Sequence, residues 1–527
     1  MSKIKLPVDD VLPQILNELQ TRNTLIFKSS PGSGKTTRIP PALLQAPWLE
    51  PSKHIVVLEP RRVAAKFSAI RVAEEMSEQP GKTVGWQFRF ENNCTAQTRL
   101  RFLTEGIFVR KLLSDPTLSD VGVVFLDEFH ERHLQTDLAL AWTKHLQKTT
   151  RPDLKLLVLS ATLDTEKLSK FLDNSKTIDL DLPMHPVRTE YLPTAPSKHL
   201  DLLVTETATR ALQECAEGDI LVFLPGMAEI RRAENALKEK FGNRDQLLIL
   251  PLHGELTRQE QDHAILPISG KRKIILATNV AETSLTIVGL RAVIDSGFHR
   301  QASANPFTGL STLRTRPISK ASATQRAGRA GRMGPGVCYR LYTKHDHDTR
   351  APFDKPEIER TDLAQTVLEM KALDAQLHFF ETPPQSALAG ACRLLWRLGA
   401  TETEALDAPI TALGRRMCEL PLHPRLTRVM MDAEKLQVTE NCAKLCALLS
   451  EGEIETQDAL DGLAKTRLQA ATLKLYERIL SNFKKGGTRP DSMDISRAFL
   501  SGFPDRVARR RASSNELVFS FGGSITA

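Results

Sequence analysis

Short apolar runs alternate with amphipathic helical stretches through the first 345 residues of the chain. The strand-sized runs cover residues 24–28, 55–58, 121–126, 154–159, 220–224, 273–278 and 291–294. Strands that alternate with helices form parallel sheets. A proline-rich segment over residues 175–200 divides the runs into two series. The pattern therefore predicts an α/β fold with two lobes, over residues 1–178 and 179–345.

The pattern changes twice beyond these strands. Between residues 297 and 319 the helical period disappears, and the sequence NPFTG at residues 305–309 supplies turn residues between two extended stretches. This arrangement predicts a β-hairpin that protrudes from the second lobe. From about residue 346 onward, apolar positions recur at helical spacing, as in residues 363–373, 387–398 and 439–449. The last third of the chain is therefore predicted to be mostly helical.

Composition and charge narrow the class of protein. The 527 residues suffice for several domains, and 71 Lys and Arg against 63 Asp and Glu give a net charge of +8, which favours anionic partners such as nucleic acid. There is no apolar run of the roughly 18 residues that a membrane span requires, and no signal sequence. The seven cysteines are scattered without zinc or disulfide spacing. These features predict a cytoplasmic protein that does not bind membranes.

The sequence SSPGSGKT at residues 29–36 has the context of a phosphate loop. It follows the apolar strand TLIF and precedes a helical stretch. Glycines allow backbone N–H groups to close around a β-phosphate, a lysine reaches the β- and γ-phosphates, and a threonine hydroxyl ligates Mg²⁺. An ordinary glycine turn is the alternative. The residues predicted to bind the nucleotide here are Pro31, Gly32, Ser33, Gly34, Lys35, Thr36 and Thr37.

A second motif follows the apolar run VGVVFL, which ends in DEFH at residues 127–130. Two carboxylates at the end of a buried strand are costly unless a cation binds there. With a phosphate loop upstream, Asp127 and Thr36 become the predicted Mg²⁺ ligands, and Glu128 the candidate base or orienter of the attacking water. The alternative is an acidic loop that merely follows a strand.

A third motif, QRAGRAGR at residues 325–332, spaces three arginines at intervals of three residues, so that they fall near one face of a helix. Planar guanidinium groups suit the charge of a transferring phosphoryl group. Gln325 has the chemistry to hold a water molecule. A solvated basic helix, or one that binds nucleic-acid phosphates, is the alternative.

These motifs, together with LEPRRVAA (58–65), TEG (104–106), SAT (160–162) and ATNVAETSLTI (277–287), occur in the order found in one family. The chain resembles the DEAH-box helicases of superfamily 2, most closely their bacterial HrpB-type branch. The resemblance implies two RecA-like lobes that enclose ATP and Mg²⁺. The catalytic residues that it implies are Glu128 from the first lobe and Gln325, Arg329 and Arg332 from the second.

The resemblance assigns further roles by position. Residues implied to contact the sugar-phosphate backbone are Arg61, Arg62, Thr104, Thr278 and Thr283. Residues implied to couple the nucleotide site to the nucleic acid are His130, Ser160 and Thr162. For His130 a structural role is the alternative. The resemblance also implies a winged helix at residues 346–420 and a helical ratchet-like domain at 421–527, in a branch whose chains usually continue further.

Two departures from the family pattern bear on the site. Phe129 occupies the place of the usual alanine, and we expect its side chain to point into the lobe. Arg71 matches an arginine that stacks on adenine in relatives, but residues 264–266 are Ala, Ile and Leu where relatives have a phenylalanine. Nucleoside triphosphates other than ATP are therefore expected to serve.

The function predicted from the sequence is an ATP-dependent RNA helicase that moves along a single strand, unwinding duplexes or remodelling protein–RNA complexes. The expected partners are single-stranded RNA or an RNA duplex with an overhang, with DNA as a possible substitute, and the protein is expected to be a monomer. The alternative is an ATP-gated RNA-binding clamp that does not unwind processively.

Overall fold

The computed structural model describes residues 5–30, 32–160, 165–180, 185–242, 246–253, 256, 258–282, 287–304, 311–420, 422–454, 458–484, 486, 492–519 and 524–526. Three predicted site residues, Pro31, Thr162 and Thr283, lie outside these ranges, as does the predicted turn at residues 305–309.

The first lobe is built on an eight-stranded sheet in the order β4-β3-β5-β2-β6-β7-β1-β8. Neighbouring strands are parallel except for β3 and β4. The strands are β1 Thr24–Ser29, β2 His54–Glu59, β3 Val84–Phe88, β4 Glu91–Asn92, β5 Leu100–Thr104, β6 Val121–Leu126, β7 Lys155–Ser160 and β8 Lys176–Leu180. The helices are α1 Leu12–Thr21, α2 Lys35–Leu44, α3 Arg62–Glu75, α4 Glu105–Ser114, α5 Leu134–Lys148 and α6 Thr165–Phe171.

The sheet of the first lobe is covered on both faces, which explains its continuous apolar strands. All six residues of β6 are buried. Alternate residues of β1 face opposite sides: Leu25 and Phe27 belong to one hydrophobic cluster and Ile26 to another. Because side chains alternate across a strand, a strand between two cores must be apolar at every position.

The second lobe contains a six-stranded parallel sheet in the order β11-β12-β10-β13-β16-β9. The predicted hairpin is present, with β14 and β15 antiparallel from Phe298 opposite Pro317 to Ala304 opposite Ser311. The strands are β9 Val187–Leu192, β10 Asp219–Phe223, β11 Leu247–Leu252, β12 Arg272–Ala277, β13 Leu290–Asp295, β14 Phe298–Ala304, β15 Ser311–Pro317 and β16 Gly336–Thr343. The helices are α7 Leu200–Glu214, α8 Met227–Phe241, α9 Arg258–Ile265, α10 Lys320–Gly328 and α11 Lys344–Thr349.

The remainder of the chain is mostly helical, as predicted. Its helices are α12 Ala364–Ala372, α13 Gln385–Arg397, α14 Ala412–Glu419, α15 Pro424–Lys435, α16 Thr439–Glu451, α17 Ala459–Lys465, α18 Ala470–Leu480 and α19 Ser492–Gly502. One hydrophobic cluster runs from Ile358 to Ala498 across all of them. The boundary proposed near residue 420 therefore divides a region with a shared core. We call this region the helical region.

The chain does not remain helical to its end. Strands β17 Ala508–Arg510, β18 Glu516–Phe519 and β19 Ser524–Thr526 form an antiparallel sheet where a helical domain was predicted. Gly502 and Pro504 end the helical pattern, since proline removes a backbone donor and clashes with the preceding turn. Within the described ranges, no helix is long and apolar enough to cross a membrane.

Candidate nucleotide site and nucleic-acid cavities

The phosphate loop joins β1 to α2 through two glycines in the left-handed region. Gly32 has φ of +90° and Gly34 has φ of +89°. The backbone angle at Gly34 favours glycine, and a Cβ atom there would also lie 2.6 Å from Leu6 Cδ1 and displace that side chain. Ser29, which replaces a common glycine, is buried, with its hydroxyl 3.0 Å from that of Ser33. The serine is thus accommodated by a hydrogen bond inside the loop.

Lys35 is the first residue of α2, and its side chain is only 5% exposed. Its ammonium lies 3.5 Å from Glu128 Oε1 and 3.9 Å from Asp127 Oδ1. Burial opposes the charge, but the three carboxylates of Glu128, Asp127 and Glu59 outweigh it and raise the pKa of Lys35. Among the described residues, this ammonium donates no hydrogen bond closer than its 3.5 Å contact with Glu128. Such a buried, incompletely bonded cation suits an anionic ligand.

Thr36 and Asp127 lie side by side, and the Thr36 hydroxyl donates a hydrogen bond to Asp127 Oδ2. The backbone N–H of Glu128 donates to the other carboxylate oxygen over 2.8 Å. Burial raises the pKa of Asp127, against the opposing charge of Lys35. Mg²⁺ is commonly held by a hydroxyl, one or two carboxylates, phosphates and water rather than by a cage of protein ligands. No group of three or more His, Cys, Asp or Glu ligands occurs among the described residues, and the pair present fits Mg²⁺ bound together with a nucleotide.

Glu128 is the residue on which both lobes converge. It is 9% exposed, adopts φ of +50° and lies 3.4 Å from His130 Nε2 through its Oε2. Burial alone would raise the pKa of Glu128, but the positive charges of Lys35, His130, Arg61 and Arg329 together lower it. Arg329 comes from the second lobe. The structure therefore brings Glu128, the predicted base, and a predicted arginine finger to one cleft.

The arginines of the third motif are not equivalent. Arg329 is 2% exposed and donates from Nε to the carbonyl of Glu282 over 3.0 Å. Burial, followed by the neighbouring charge of Arg332, lowers the pKa of Arg329. Burial also lowers the pKa of Arg332 to about 10, against the attraction of Glu128. Two like charges beside the acidic pair are arranged to accept the charge of a phosphoryl group.

Arg326 points elsewhere, contrary to the expectation that the three arginines share a face. It is completely buried and forms ion pairs with Asp295 at 2.8 Å and Glu282 at 2.9 Å, over the ring of Phe223. The helical period breaks because α10 ends at Gly328 and a 3₁₀ turn, Arg329–Gly331, follows. Arg326 therefore holds the motif to its own lobe, while the two later arginines face the cleft.

Gln325 and Arg61 line a cavity of about 580 Å³ between the two lobes, which we call the interlobe cavity. Arg61 donates to Glu131 over 2.9 Å. His130 lies in the same wall, and burial lowers the pKa of its imidazole. The DEFH motif continues into a 3₁₀ turn, Phe129–Glu131, that ends at Arg132, and we call residues 127–132 the DEFH turn. The interlobe cavity thus joins the DEFH turn to the start of the third motif.

Arg62 and Thr104 line a different cavity of about 480 Å³, between the first lobe and the helical region. Sequence reasoning missed three further residues of this wall: Arg89, Arg110 and Arg478. Burial, then the charges of Arg478 and Arg89, lower the pKa of Arg110 to about 10. We call this space the basic cavity. These three arginines lie in no motif, so only the tertiary fold reveals them.

The remaining predicted residues are dispersed. Ser160 is buried at the end of β7, and Thr278 precedes the turn Asn279–Ala281 after β12. Arg71 is exposed on α3 and pairs with Glu75 at 2.9 Å. At the other position where relatives contact the adenine, Ala264 is buried and Leu266 is 57% exposed. One carboxylate was missed: Glu59 ends β2, and burial, then Asp127 and Glu128, raise its pKa.

A phosphate loop, an adjacent acidic pair and arginines from a second lobe form a candidate nucleoside triphosphate site between two RecA-like lobes. The family description "DEAD/DEAH box helicase" matches residues 9–171, and "Helicase conserved C-terminal domain" matches residues 203–334. These matches fall on the first and second lobes respectively. The two lobes thus match the paired domains of the DEAD/DEAH box helicases.

Known relatives resemble the chain over nearly its whole length. It is 39% identical over 522 residues to "ATP-dependent RNA helicase HrpB" of Escherichia coli (strain K12), covering 98% of this chain and 63% of that protein. Two crystal structures are similar at 38% identity and 99% coverage of this chain. One, described as an E. coli DExH-box NTPase HrpB, has a TM-score of 0.87 and is covered to 64%. The other, described as an Escherichia coli DEAH/RHA helicase HrpB, has a TM-score of 0.89 and is covered to 66%. The chain thus spans just under two thirds of the length of these relatives.

Proposed function

We propose that this chain acts as an ATP-dependent RNA helicase, which couples nucleoside triphosphate hydrolysis to movement along a single strand and to duplex unwinding or remodelling of protein–RNA complexes. One observation carries the proposal. Glu128 lies within the electrostatic reach of Lys35 in its own lobe and of Arg329 in the other. Hydrolysis that needs groups from both lobes is tied to their closure, and repeated closure around a strand produces movement.

The residues of the cleft divide the work of hydrolysis. Lys35 and the loop N–H groups bind the phosphates, and Glu128 orients the attacking water or accepts its proton. Gln325 assists in holding that water, and Arg329 and Arg332 stabilise the charge of the γ-phosphoryl group. Thr36 and Asp127 would hold Mg²⁺, which when bound neutralises charge on the β- and γ-phosphate oxygens.

The substrate is proposed to be single-stranded RNA or an RNA duplex with an overhang, bound without sequence preference. Guanidinium and hydroxyl groups contact phosphates and sugars rather than base edges, and such contacts do not read sequence. Arg61, Arg62, Thr104, Thr278 and Thr283 remain the proposed backbone contacts. The lack of an aromatic residue at 264–266 favours hydrolysis of several nucleoside triphosphates. We propose a monomer that works in the cytoplasm.

Strand displacement tests this function directly. Duplexes with 3′ or 5′ overhangs, made of RNA or DNA, are incubated with protein and ATP, and released strand and phosphate are measured together. We expect hydrolysis stimulated by single-stranded RNA, and displacement of RNA duplexes with one overhang polarity. Lys35→Ala should abolish both activities, because it removes the cation that binds the phosphates.

Two outcomes would contradict the proposal. Hydrolysis retained by Lys35→Ala would show that the phosphate loop is assigned wrongly. RNA-stimulated hydrolysis by the wild type, with every duplex left intact and the protein stably bound, would identify an ATP-gated clamp instead of a helicase.

A further inference from the structure

A short turn of the helical region lies between the DEFH turn and the hairpin. It consists of the 3₁₀ turn Glu357–Glu359 and the next residue, Arg360. Both Glu357 and Arg360 line the interlobe cavity. None of the helicase motifs includes this turn, yet it contacts the first lobe on one side and the hairpin of the second lobe on the other.

Glu357 binds the first lobe at the start of α5. The first N–H groups of a helix have no partner within the helix, and His133, which precedes α5, supplies no side-chain cap. The N–H of Leu134 instead donates to Glu357 Oε2 over 3.0 Å, and the Glu357 N–H donates to the carbonyl of Arg132 over 3.0 Å. A carboxylate is favoured at a helix N-terminus. The cap of α5 therefore comes from a residue 223 positions further along the chain.

The capped position lies at the end of the DEFH turn. Glu128 and Arg132 both have positive φ, +50° and +52°, which is unusual for residues other than glycine. Such conformations persist only when surrounding contacts hold them. Glu357 fixes the Arg132 end of this turn, and the other end carries Glu128, the residue that faces both Lys35 and Arg329.

Arg360 binds the hairpin. Its Nη1 donates to the carbonyl of Ala302 over 2.7 Å, and its own carbonyl accepts from the N–H of Ala304 over 2.6 Å. Its Nη2 also reaches Glu357 Oε1 at 3.4 Å. The two oxygens of Glu357 thus contact α5 and Arg360 respectively. A continuous set of contacts joins the DEFH turn to β14.

A second segment of the helical region, which contains Phe380 and Glu381, also contacts the first lobe. The guanidinium of Arg132 lies 4.5 Å from the ring centre of Phe380 and 3.5 Å from a carboxylate oxygen of Glu381. Phe129, buried as expected, packs with its ring 6.1 Å from that of Phe380. The turn is therefore held to the first lobe, while the hairpin belongs to the chain of the second.

We infer that Glu357 and Arg360 form a coupling junction, which transmits movement between the lobes at the nucleotide cleft to the hairpin. The inference rests on the proposed helicase function and adds a route from hydrolysis to strand separation. When the lobes move, the hairpin either follows the junction or loses its contacts with Arg360. Neither residue belongs to the phosphate loop, the acidic pair or the arginines of the nucleotide cleft, so both act as positioning residues.

The first test compares hydrolysis with strand displacement in Arg360→Ala. We expect RNA-stimulated ATP hydrolysis to stay within about twofold of the wild type, and duplex displaced per ATP to fall about tenfold or more. Arg360→Lys should restore part of the yield, because it keeps a cationic donor. Arg393→Ala, which removes an exposed arginine of the helical region, is the matched control. Equal loss of hydrolysis and displacement, or unchanged displacement per ATP, would overturn the inference.

The second test does not depend on unwinding. Amide hydrogen exchange of β14 is measured with and without a non-hydrolysable ATP analogue, in the wild type, Arg360→Ala and Glu357→Gln. We expect the analogue to change exchange in the wild type, and this change to disappear in Arg360→Ala and weaken in Glu357→Gln. The same change in all three proteins, or none in a wild type that binds the analogue, would overturn the inference. A wild type that fails to bind the analogue would instead refute the proposed function itself.

Discussion

The nucleotide cleft and the basic cavity are assembled in different ways. Residues of the cleft follow directly from the ends of strands or helices: Lys35 comes after β1, Asp127 after β6, and Arg329 and Arg332 after α10 in the second lobe. The walls of the basic cavity come mostly from helices, namely α3, α4, α5, α12, α14 and α18, together with the end of β5 and the loop after β3. Catalytic geometry at strand ends depends on short, fixed spacings. Binding of a polymer backbone needs only positive charge at a suitable distance, which many helices can supply.

The two sites also differ in charge balance. In the cleft, Lys35, Arg329 and Arg332 interact with the carboxylates of Asp127 and Glu128, so positive and negative charges are mixed. In the basic cavity, four arginines share the wall with the carboxylates of Glu105 and Glu369. Burial raises the pKa of Glu369 to about 7. The first arrangement suits a small ligand bound with a metal ion, and the second suits a chain of phosphates. The following experiments separate these roles.

The largest expected effect comes from Arg332→Ala. Removing an arginine that stabilises a transferring phosphoryl group lowers hydrolysis about 10³-fold or more. Affinity for the nucleotide should change only a few-fold, because Lys35 and the loop remain. Single-turnover hydrolysis and equilibrium binding provide the measurement, with Met333→Ala, an exposed neighbour, as the control. Normal turnover by Arg332→Ala would show that Arg332 does not stabilise the transferring phosphoryl group.

Glu128→Gln should lower hydrolysis about 10²-fold or more, the usual loss for a general base, while ATP remains bound. The amide is nearly the same size as the carboxylate, but it does not accept a proton readily. It also carries no negative charge to balance the charges of Lys35 and Arg329. Burst and steady-state phosphate release measure the effect. The control is Glu166→Gln, the same exchange at a surface carboxylate of the first lobe. A variant that hydrolyses ATP normally would show that Glu128 has no role in activating water.

Arg110→Ala should weaken the binding of nucleic acid. It should leave unchanged the rate of ATP hydrolysis measured without nucleic acid. Losing one phosphate contact reduces the slope of log affinity against log salt by about one and weakens RNA binding several-fold. Binding isotherms at several salt concentrations test this, beside Arg497→Ala, which removes an exposed arginine of α19 in the helical region. If the two variants have equal salt slopes, the basic cavity does not contact phosphates.

Much of the cleft is readable in the sequence, because each motif lies within a few residues of a strand or helix end whose position the apolar pattern fixes. The parallel lobes, the hairpin and the inward Phe129 follow from the same local rules. Arg89, Arg110 and Arg478 do not, since their proximity results from packing between distant helices. The inner position of Arg326 depends on where α10 ends, and the cap of α5 by Glu357 joins residues 223 positions apart. Such long-range contacts leave no local pattern.

The smallest expected effect concerns His133, which connects the basic cavity to the interlobe cavity. It pairs with Glu105, a wall residue of the basic cavity, at 3.1 Å, and with Glu131 of the interlobe cavity at 3.5 Å. Burial lowers its pKa, but Glu105, Glu131 and Glu357 outweigh burial and raise the pKa to about 9. A pKa raised by folding stabilises the protein fully below the unfolded value of about 6.5, and this stabilisation is lost as pH rises through the folded value.

His133→Gln should therefore destabilise the protein most near pH 6, by about 1 to 3 kcal/mol, and progressively less toward pH 9. Thermal unfolding midpoints of variant and wild type across this range measure the difference, with the same exchange at the exposed His345 as the control. A difference that stays constant with pH would mean that His133 contributes packing rather than charge. In that case packing alone, and not the charge of His133, connects the basic cavity to the interlobe cavity.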